Sequence, residues 1–135
     1  MADLKAITRE LYHAFQEGDI DAIIAKLAPD VKWDHWTDNT AQKAGAPWLQ
    51  ARTGPAQVRE FFRILADFQY HEFRLVSLMV GDNKVAAEVV LELTMPTGHR
   101  VRDEHVHLFT FNDAGQIVAA RQYLDTAKSI EAMRK

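Results

Sequence analysis

Two histidines, His105 and His107, lie one residue apart in an apolar stretch near the end of the chain. A β-strand places alternate residues on one face, so both imidazoles point the same way, in line with Phe109 and Phe111. An imidazole aimed into an apolar region is costly unless it is hydrogen-bonded, binds a ligand or takes part in chemistry. Histidine also serves as a general acid or base with little tuning. This strand is therefore the first candidate for a functional site.

The composition is typical of one soluble globular domain. The chain has 135 residues, of which 47% are hydrophobic and 26% are charged, and its net charge is −3. This charge provides no basic surface for nucleic acid or for an anionic membrane. The absence of cysteine excludes disulfides, thiolate catalysis and zinc–sulfur sites. Since the N-terminus shows no signal peptide and no segment approaches the ~20 apolar residues of a membrane span, we expect a single cytoplasmic domain over residues 1–135.

The first half of the chain has helical patterning. A helix is predicted over residues 3–17 from apolar residues at helical spacing, which are Leu4, Ile7, Leu11 and Phe15. A second helix, capped by Asp19, is expected to stop at Pro29, and a third begins at Thr53–Gly54–Pro55. Val31, Trp33 and His35 alternate with polar residues, which predicts a short strand with one buried face. Residues 36–52 show no clear period and are predicted to be a long loop that covers a site.

From residue 70 onward the apolar period changes to two. This pattern predicts strands at residues 70–80, 84–95, 100–111 and 116–124, followed by a last helix capped by Asp125. Helices followed by an antiparallel meander make an α+β domain. A long twisted sheet cannot bury its inner face on itself, so the helices must pack into its concave side. The result is a cone with an open mouth, which forms a pocket for a small apolar ligand.

Several segments carry a family resemblance: residues 15–23 (FQEGDIDAI), 27–31 (LAPDV), 53–55 (TGP) and 109–117 (FTFNDAGQI). They resemble the nuclear transport factor 2-like superfamily, most of all its SnoaL-like and ketosteroid isomerase-like branch. The resemblance implies a cone-shaped, cystatin-like α+β fold, with N-terminal helices packed into the concave face of a curved, mainly antiparallel sheet. It also implies a homodimer through the outer sheet face. It implies no single activity, because the superfamily contains isomerases, polyketide cyclases, epoxide hydrolases, dehydratases and non-enzymes.

The resemblance also assigns roles to individual residues. The general-base aspartate of ketosteroid isomerase-like proteins falls on His35, and their protonated oxyanion-hole aspartate falls on His107. The oxyanion-hole tyrosine falls on Leu11, with Tyr12 one place along. Proton abstraction beside a carbonyl needs a base and a donor where the enolate charge develops. The resemblance thus implies that His35 is the base and His107 the donor. Because His105 lies on the same strand face as His107, it is predicted to hold His107 in one tautomer or to contact the ligand.

The predicted site has two catalytic candidates, His35 and His107, and six ligand-binding candidates, which are Tyr12, Trp33, Trp48, Phe61, Phe62 and His105. The favoured function is acid–base chemistry of isomerase or cyclase type on a small cyclic or aromatic carbonyl compound, with no cofactor. In the alternative, the protein binds apolar molecules without turnover, and the histidines are hydrogen-bonded to Tyr12, Asp103 or the backbone. A third hypothesis is a zinc or iron site on the three histidines.

Individual residues argue against two further functions, epoxide hydrolysis and binding of a protein partner. Residues 121–125 (RQYLD) resemble limonene epoxide hydrolase, but the acid of that enzyme falls on Gln122, which cannot act as an acid. Epoxide hydrolysis is therefore not predicted. An interaction protein would use the outer face of the sheet, where Glu88, Glu92 and Arg102 carry too much charge for a large hydrophobic interface. The sequence thus favours a small-molecule partner over a macromolecular one.

Overall fold

The computed structural model describes residues 2–134. Its helices are α1 (Leu4–Glu17), α2 (Ile20–Ile24), α3 (Thr40–Lys43), α4 (Pro55–Leu65) and α5 (Thr126–Ala132). Its strands are β1 (Leu27–Trp33), β2 (Arg52–Thr53), β3 (Gln69–Gly81), β4 (Lys84–Thr94), β5 (Arg100–Phe111) and β6 (Ile117–Tyr123). Within the described part of the chain, none of the helices is long and apolar enough to cross a membrane.

The six strands form one sheet in the order β2-β1-β6-β5-β4-β3. Neighbouring strands are antiparallel except β1 and β6, which run parallel. Helices α1 and α4 lie against the inner face, and their apolar residues join those of β4 and β5 in one continuous core. The predicted α+β class, with helices packed on a mainly antiparallel sheet, is confirmed.

The helix ends follow their capping residues. Asp19 caps α2 by accepting a hydrogen bond from the Ala22 amide, and Asp125 caps α5 by accepting from the amides of Ala127 and Lys128. Gly18 closes α1 in the left-handed conformation, with φ of 73°. Both aspartates were predicted to cap these helices, so these two predictions are confirmed.

The predicted second helix was too long. Helix α2 ends at Ile24, and β1 already begins at Leu27, two residues before Pro29. Leu27 lies opposite Ile117 in the parallel pairing with β6, and the Ile117 amide donates to the Lys26 carbonyl at 2.9 Å. This long-range pairing outweighs the local helical pattern, because each strand satisfies backbone groups of the other.

The segment over residues 36–52 is not a plain loop. It contains α3, a 3₁₀ turn at Pro47–Leu49 and the short strand β2. Asn39 caps α3 by accepting a hydrogen bond from the Gln42 amide. Three buried residues of the segment form a second small core against α5, and these are Ala41, Ala46 and Leu49. The segment is therefore packed and partly helical. The sequence did not predict this, because its small apolar residues follow no regular period.

Gly115 closes the β5–β6 turn at a position where an added side chain would meet its neighbours. Its φ is +80°, and an added Cβ would lie 2.8 Å from the Ala2 Cβ and 3.3 Å from the Ile7 Cδ1. Gly98 has φ of +92° with nothing within 4 Å of such a Cβ. We expect Gly98→Ala to cost about 1–2 kcal/mol of stability from the backbone alone, and Gly115→Ala to cost more. Urea unfolding of both variants checks this, and equal losses would contradict the packing argument.

Candidate functional site

A cavity of about 100 Å³ lies between the helices and the inner face of the sheet. All eight residues that the sequence predicted as site residues line it: Tyr12, Trp33, His35, Trp48, Phe61, Phe62, His105 and His107. Most of the remaining wall is apolar, and includes Leu11, Phe15, Leu65, Phe73, Leu91 and Leu93. The polar side chains therefore stand out against a hydrophobic surface, as in sites that orient a small ligand.

The aromatic side of the cavity is well packed. The Trp33 ring lies 5.7 Å from the rings of both Phe61 and Phe62, and the Trp48 ring meets Phe68 edge-on at 5.5 Å. Such pairs add to the stability of a core beyond their buried area. Trp36 does not line the cavity and is 42% exposed.

His35 reaches the cavity from an unexpected backbone position. Strand β1 ends at Trp33, so the predicted strand through His35 was wrong, although His35 still lines the same cavity as Trp33. Its φ is +55°, in the left-handed region that costs a residue other than glycine about 1–3 kcal/mol and is frequent at functional sites. The pairing of β1 with β2 and β6 reaches no further than Trp33 and leaves His35 free to take this conformation.

The His35 imidazole is buried without a hydrogen bond. It is 1% exposed, and neither Nδ1 nor Nε2 has a partner among the described residues. Burial and the nearby positive charge of Arg52 lower its pKa to about 4, so the ring is neutral at pH 7. A neutral imidazole offers one N–H donor and one acceptor nitrogen. Neither nitrogen is used by the described part of the protein.

His107 and Tyr12 form a tight pair across the cavity wall. The Tyr12 hydroxyl lies 2.5 Å from His107 Nδ1, and the two rings are nearly parallel at 5.9 Å. Burial, and then the charges of His105 and His35, hold the pKa of His107 well below its usual value. Burial raises the pKa of Tyr12 well above its usual value. Both groups are therefore neutral at pH 7, and their hydrogen bond joins α1 to β5.

The row of polar residues continues along β5 to His105 and Asp103. His107 Nε2 lies 3.3 Å from His105 Nδ1, and His105 Nε2 lies 3.4 Å from the Asp103 carboxylate. That carboxylate also accepts hydrogen bonds from the amides of Glu104, at 2.8 Å, and Asp125, at 3.2 Å. Burial alone would raise the pKa of Asp103, but the His105 interaction and the two amides outweigh it and hold the pKa below its usual value. Asp103 is therefore a carboxylate at neutral pH.

Gln122 contacts both imidazoles from the neighbouring strand. It lies opposite His107 in the β5–β6 pairing, and its Nε2 is 3.3 Å from His105 Nδ1 and 3.4 Å from His107 Nε2. Its Oε1 is buried and has no hydrogen-bond partner within residues 2–134. The Gln122 amide nitrogen therefore contacts both rings, and its Oε1 acceptor is unused by the described residues.

The three histidines do not form a metal-ligand set. Over residues 2–134, no group of three or more histidine, aspartate or glutamate side chains is placed to hold a metal ion. Both ring nitrogens of His107 face protein partners, and His35 bonds to neither of the other two histidines. All three rings line one cavity, as expected for a shared site. His105 and His107 also contact Asp103 and Tyr12, as expected for histidines that are bound to other protein groups.

Three residues near the histidines were not among the predicted site residues. Asp103 lies two residues before His105, so the period of two already placed it in the same row, and this signal was available. Gln122 joins the site through the strand pairing, which requires the β5–β6 register. Arg52 lies in the segment without a clear period and comes within 5.9 Å of the Phe61 ring. The sequence carries no signal for that last placement.

Solved structures with the same fold span the whole chain. An NTF2-like protein of unknown function from Burkholderia pseudomallei has a TM-score of 0.82 and 24% identity and covers 100% of both chains. The epoxide hydrolase/cyclase-like enzyme SalBIII, which acts in pyran ring formation in salinomycin, has a TM-score of 0.71 and 24% identity, covering 93% of this chain and 92% of its own. TerC, co-crystallised with polyporic acid, has a TM-score of 0.75 and 21% identity, with 96% and 99% covered. At these identities the likeness shows the fold alone.

The sequence itself places the chain in a family. Comparison with curated protein sequences finds no significant match. The profile of the SnoaL-like domain matches residues 8–120, a stretch that runs from α1 into β6 and includes His35, Asp103, His105 and His107. The protein therefore belongs to the SnoaL-like domain family and has the NTF2-like α+β cone fold.

Proposed function

We propose that this protein is an enzyme that binds a small cyclic or aromatic carbonyl compound in the cavity and performs isomerase- or cyclase-type acid–base chemistry on it without a cofactor. The observation that carries the proposal is the unpartnered imidazole of His35 beside an apolar cavity. A buried polar group without a partner costs about 1–3 kcal/mol. A ligand oxygen that accepts a hydrogen bond from His35 would recover this cost.

His35 is better suited to donate a hydrogen bond than to accept a proton. Since its pKa is about 4, the protonated ring is strongly disfavoured beside Arg52 at neutral pH. A neutral imidazole N–H can still polarise a carbonyl and stabilise the enolate that forms when a proton leaves the neighbouring carbon. His35 is therefore the proposed donor to the ligand oxygen, which reverses the role of base that the family resemblance implied.

Tyr12 is the proposed group that exchanges the proton with the ligand. His107, the donor implied by the resemblance, has both ring nitrogens directed at protein partners. Its hydrogen bond with the Tyr12 hydroxyl, at 2.5 Å, instead allows it to act through that hydroxyl. The cavity wall then contains both a donor and an acid–base group, which is the minimum for moving a proton beside a carbonyl.

The ligand class agrees with the cavity wall and with two structural neighbours. Trp33, Phe61 and Phe62 offer flat apolar surfaces that suit a ring. TerC was crystallised with polyporic acid, and SalBIII acts in pyran ring formation. These neighbours support a cyclic ligand for this protein and do not identify it.

Replacing His35 by alanine tests the proposal. A panel of cyclic and aryl ketones is incubated with the protein in D₂O, and loss of the α-proton signal is followed by NMR. We expect catalysed exchange with at least one compound and a loss of about 10²–10³-fold in His35→Ala, the usual effect of removing one such donor. Affinity for the compound, measured by calorimetry, should fall far less.

His13→Ala is the matched control, because this histidine lies on the exposed face of α1 and pairs with Glu17. It should exchange at the wild-type rate. If compounds bind in the cavity but none is exchanged faster than in buffer, the protein is a binding protein and the proposal fails. Exchange that is unchanged in His35→Ala would remove His35 from the mechanism.

A further inference from the structure

We infer that Tyr12, His107, His105 and Asp103 form a proton relay. It carries a proton between a molecule in the cavity and His105, which lies beside the Asp103 carboxylate on β5. The four groups follow one another at 2.5, 3.3 and 3.4 Å. For its substrate this inference rests on the proposed function, but the direction of each hydrogen bond follows from the protein alone.

The direction is set at Asp103. Its carboxylate can only accept hydrogen bonds, and it already accepts from the amides of Glu104 and Asp125. The facing nitrogen, His105 Nε2, must therefore carry a proton. In a neutral imidazole the other nitrogen, Nδ1, is then an acceptor. The buried carboxylate thus fixes the tautomer of His105.

The same reasoning passes to the next ring. The acceptor nitrogen of His105 faces His107 Nε2 at 3.3 Å, so a neutral His107 donates from Nε2 and keeps a lone pair on Nδ1. That lone pair faces the Tyr12 hydroxyl, which donates to it. The Gln122 Nε2 lies 3.3 Å from the acceptor nitrogen of His105 and 3.4 Å from His107 Nε2, so in this order it can donate only to His105. Before any transfer, the Tyr12 hydroxyl, His107 and His105 each donate to the next group in the direction of Asp103. The Tyr12 oxygen keeps a lone pair that can accept a proton from a ligand.

Proton removal from a ligand then needs three linked transfers. The Tyr12 oxygen forms a bond to the α-proton of the carbonyl compound as the C–H bond breaks. The former hydroxyl proton moves to His107 Nδ1, and the proton on His107 Nε2 moves to His105 Nδ1. The ligand becomes an enolate, Tyr12 and His107 remain neutral, and His105 becomes an imidazolium beside the Asp103 carboxylate. The reverse transfers return a proton to the ligand, so charge is conserved in both directions.

The relay explains how a tyrosine could act as a base in this site. Burial opposes a tyrosinate at position 12, because it raises the pKa of the phenol well above its usual value. The relay avoids that anion by moving the positive charge to His105, next to a buried carboxylate whose own pKa is held low. His107, His105 and Asp103 act through Tyr12 and are positioning residues, whereas Tyr12 touches the ligand.

The experiment is a measurement of ring ¹⁵N shifts in histidine-labelled wild-type protein at neutral pH, which distinguishes the two neutral tautomers of each imidazole. We expect both His105 and His107 to carry their proton on Nε2. In Asp103→Asn, the Asn oxygen should keep the shorter bond from the Glu104 amide and turn its NH₂ toward His105. His105 should then carry its proton on Nδ1, and His107 should follow.

Tyr12→Phe is the second variant, since it removes the hydroxyl and leaves the His105–Asp103 contact in place. His105 should keep its wild-type tautomer in this protein. A wild-type His105 or His107 that carries its proton on Nδ1 would overturn the relay, and so would a change of the His105 tautomer in Tyr12→Phe. The readout involves no substrate: the predicted tautomers without any α-proton exchange would contradict the proposed function only, and exchange with other tautomers would contradict the relay only.

Discussion

Replacing Tyr12 by phenylalanine should reduce the rate of α-proton exchange by about 10²–10⁴-fold, the usual contribution of a general acid–base group. The variant keeps the ring that packs against Phe73 and Phe109 and loses only the oxygen that lies 2.5 Å from His107. The loss should appear in kcat with little change in KM, because the hydroxyl is needed for the transfer rather than for the fit of the ligand. Steady-state kinetics on a compound from the ketone panel measures both.

Tyr123→Phe is the matched control for this prediction. Its hydroxyl contacts Arg121 at 3.5 Å, and its ring packs on the exposed Trp36, outside the cavity. It should retain the wild-type rate. If Tyr12→Phe raised KM and left kcat unchanged, the hydroxyl would only bind the ligand, and the transfer role would be wrong.

Acidification should destabilise the protein through His35. The folded ring has a pKa of about 4, whereas an unfolded histidine titrates near 6.5. Between these values the unfolded chain binds more protons, so stability is lost as the pH falls through that window. His35 alone should reduce the free energy of unfolding by about 3 kcal/mol between pH 7 and pH 4, from about 1.4 kcal/mol for each pKa unit.

His35→Gln removes this titration and keeps a polar side chain of similar reach. Urea unfolding of both proteins at pH 7 and pH 4 measures the loss that comes from His35 and from its charge acting on His107, since the other groups are shared. The variant should lose about 3 kcal/mol less than the wild type over this range. An equal loss in the two proteins would show that His35 is not held neutral by burial.

Much of the fold follows from local chemistry in the sequence. The period of two predicted four strands whose ends agree with β3 to β6 within one residue, and aspartates mark the starts of α2 and α5. The boundary between α2 and β1 was missed because β1 is held by pairing with β6, about 90 residues away in the chain. Local apolar spacing carries no information about such a partner.

The site was predictable to the extent that it lies on regular structure. The row of Asp103, His105 and His107 follows from strand alternation alone. His35 was expected to face the cavity from a strand, but β1 ends two residues earlier. The side chain lines the cavity as expected, although the predicted strand was wrong. Arg52, which lowers the pKa of His35, comes from a segment with no periodic pattern. Such a neighbour is visible only in three dimensions.

The most direct test of the central claim compares α-proton exchange by four proteins: wild type, His35→Ala, Tyr12→Phe and the double variant. In the proposed reaction His35 donates to the ligand oxygen while Tyr12 takes the proton. Because both groups act in the same step, each single change should remove most of the catalysed rate. The double change should then remove little more, since residues that act as a unit are not additive. Exchange by the double variant at the wild-type rate, or no exchange by the wild type with any compound that binds, would contradict the account.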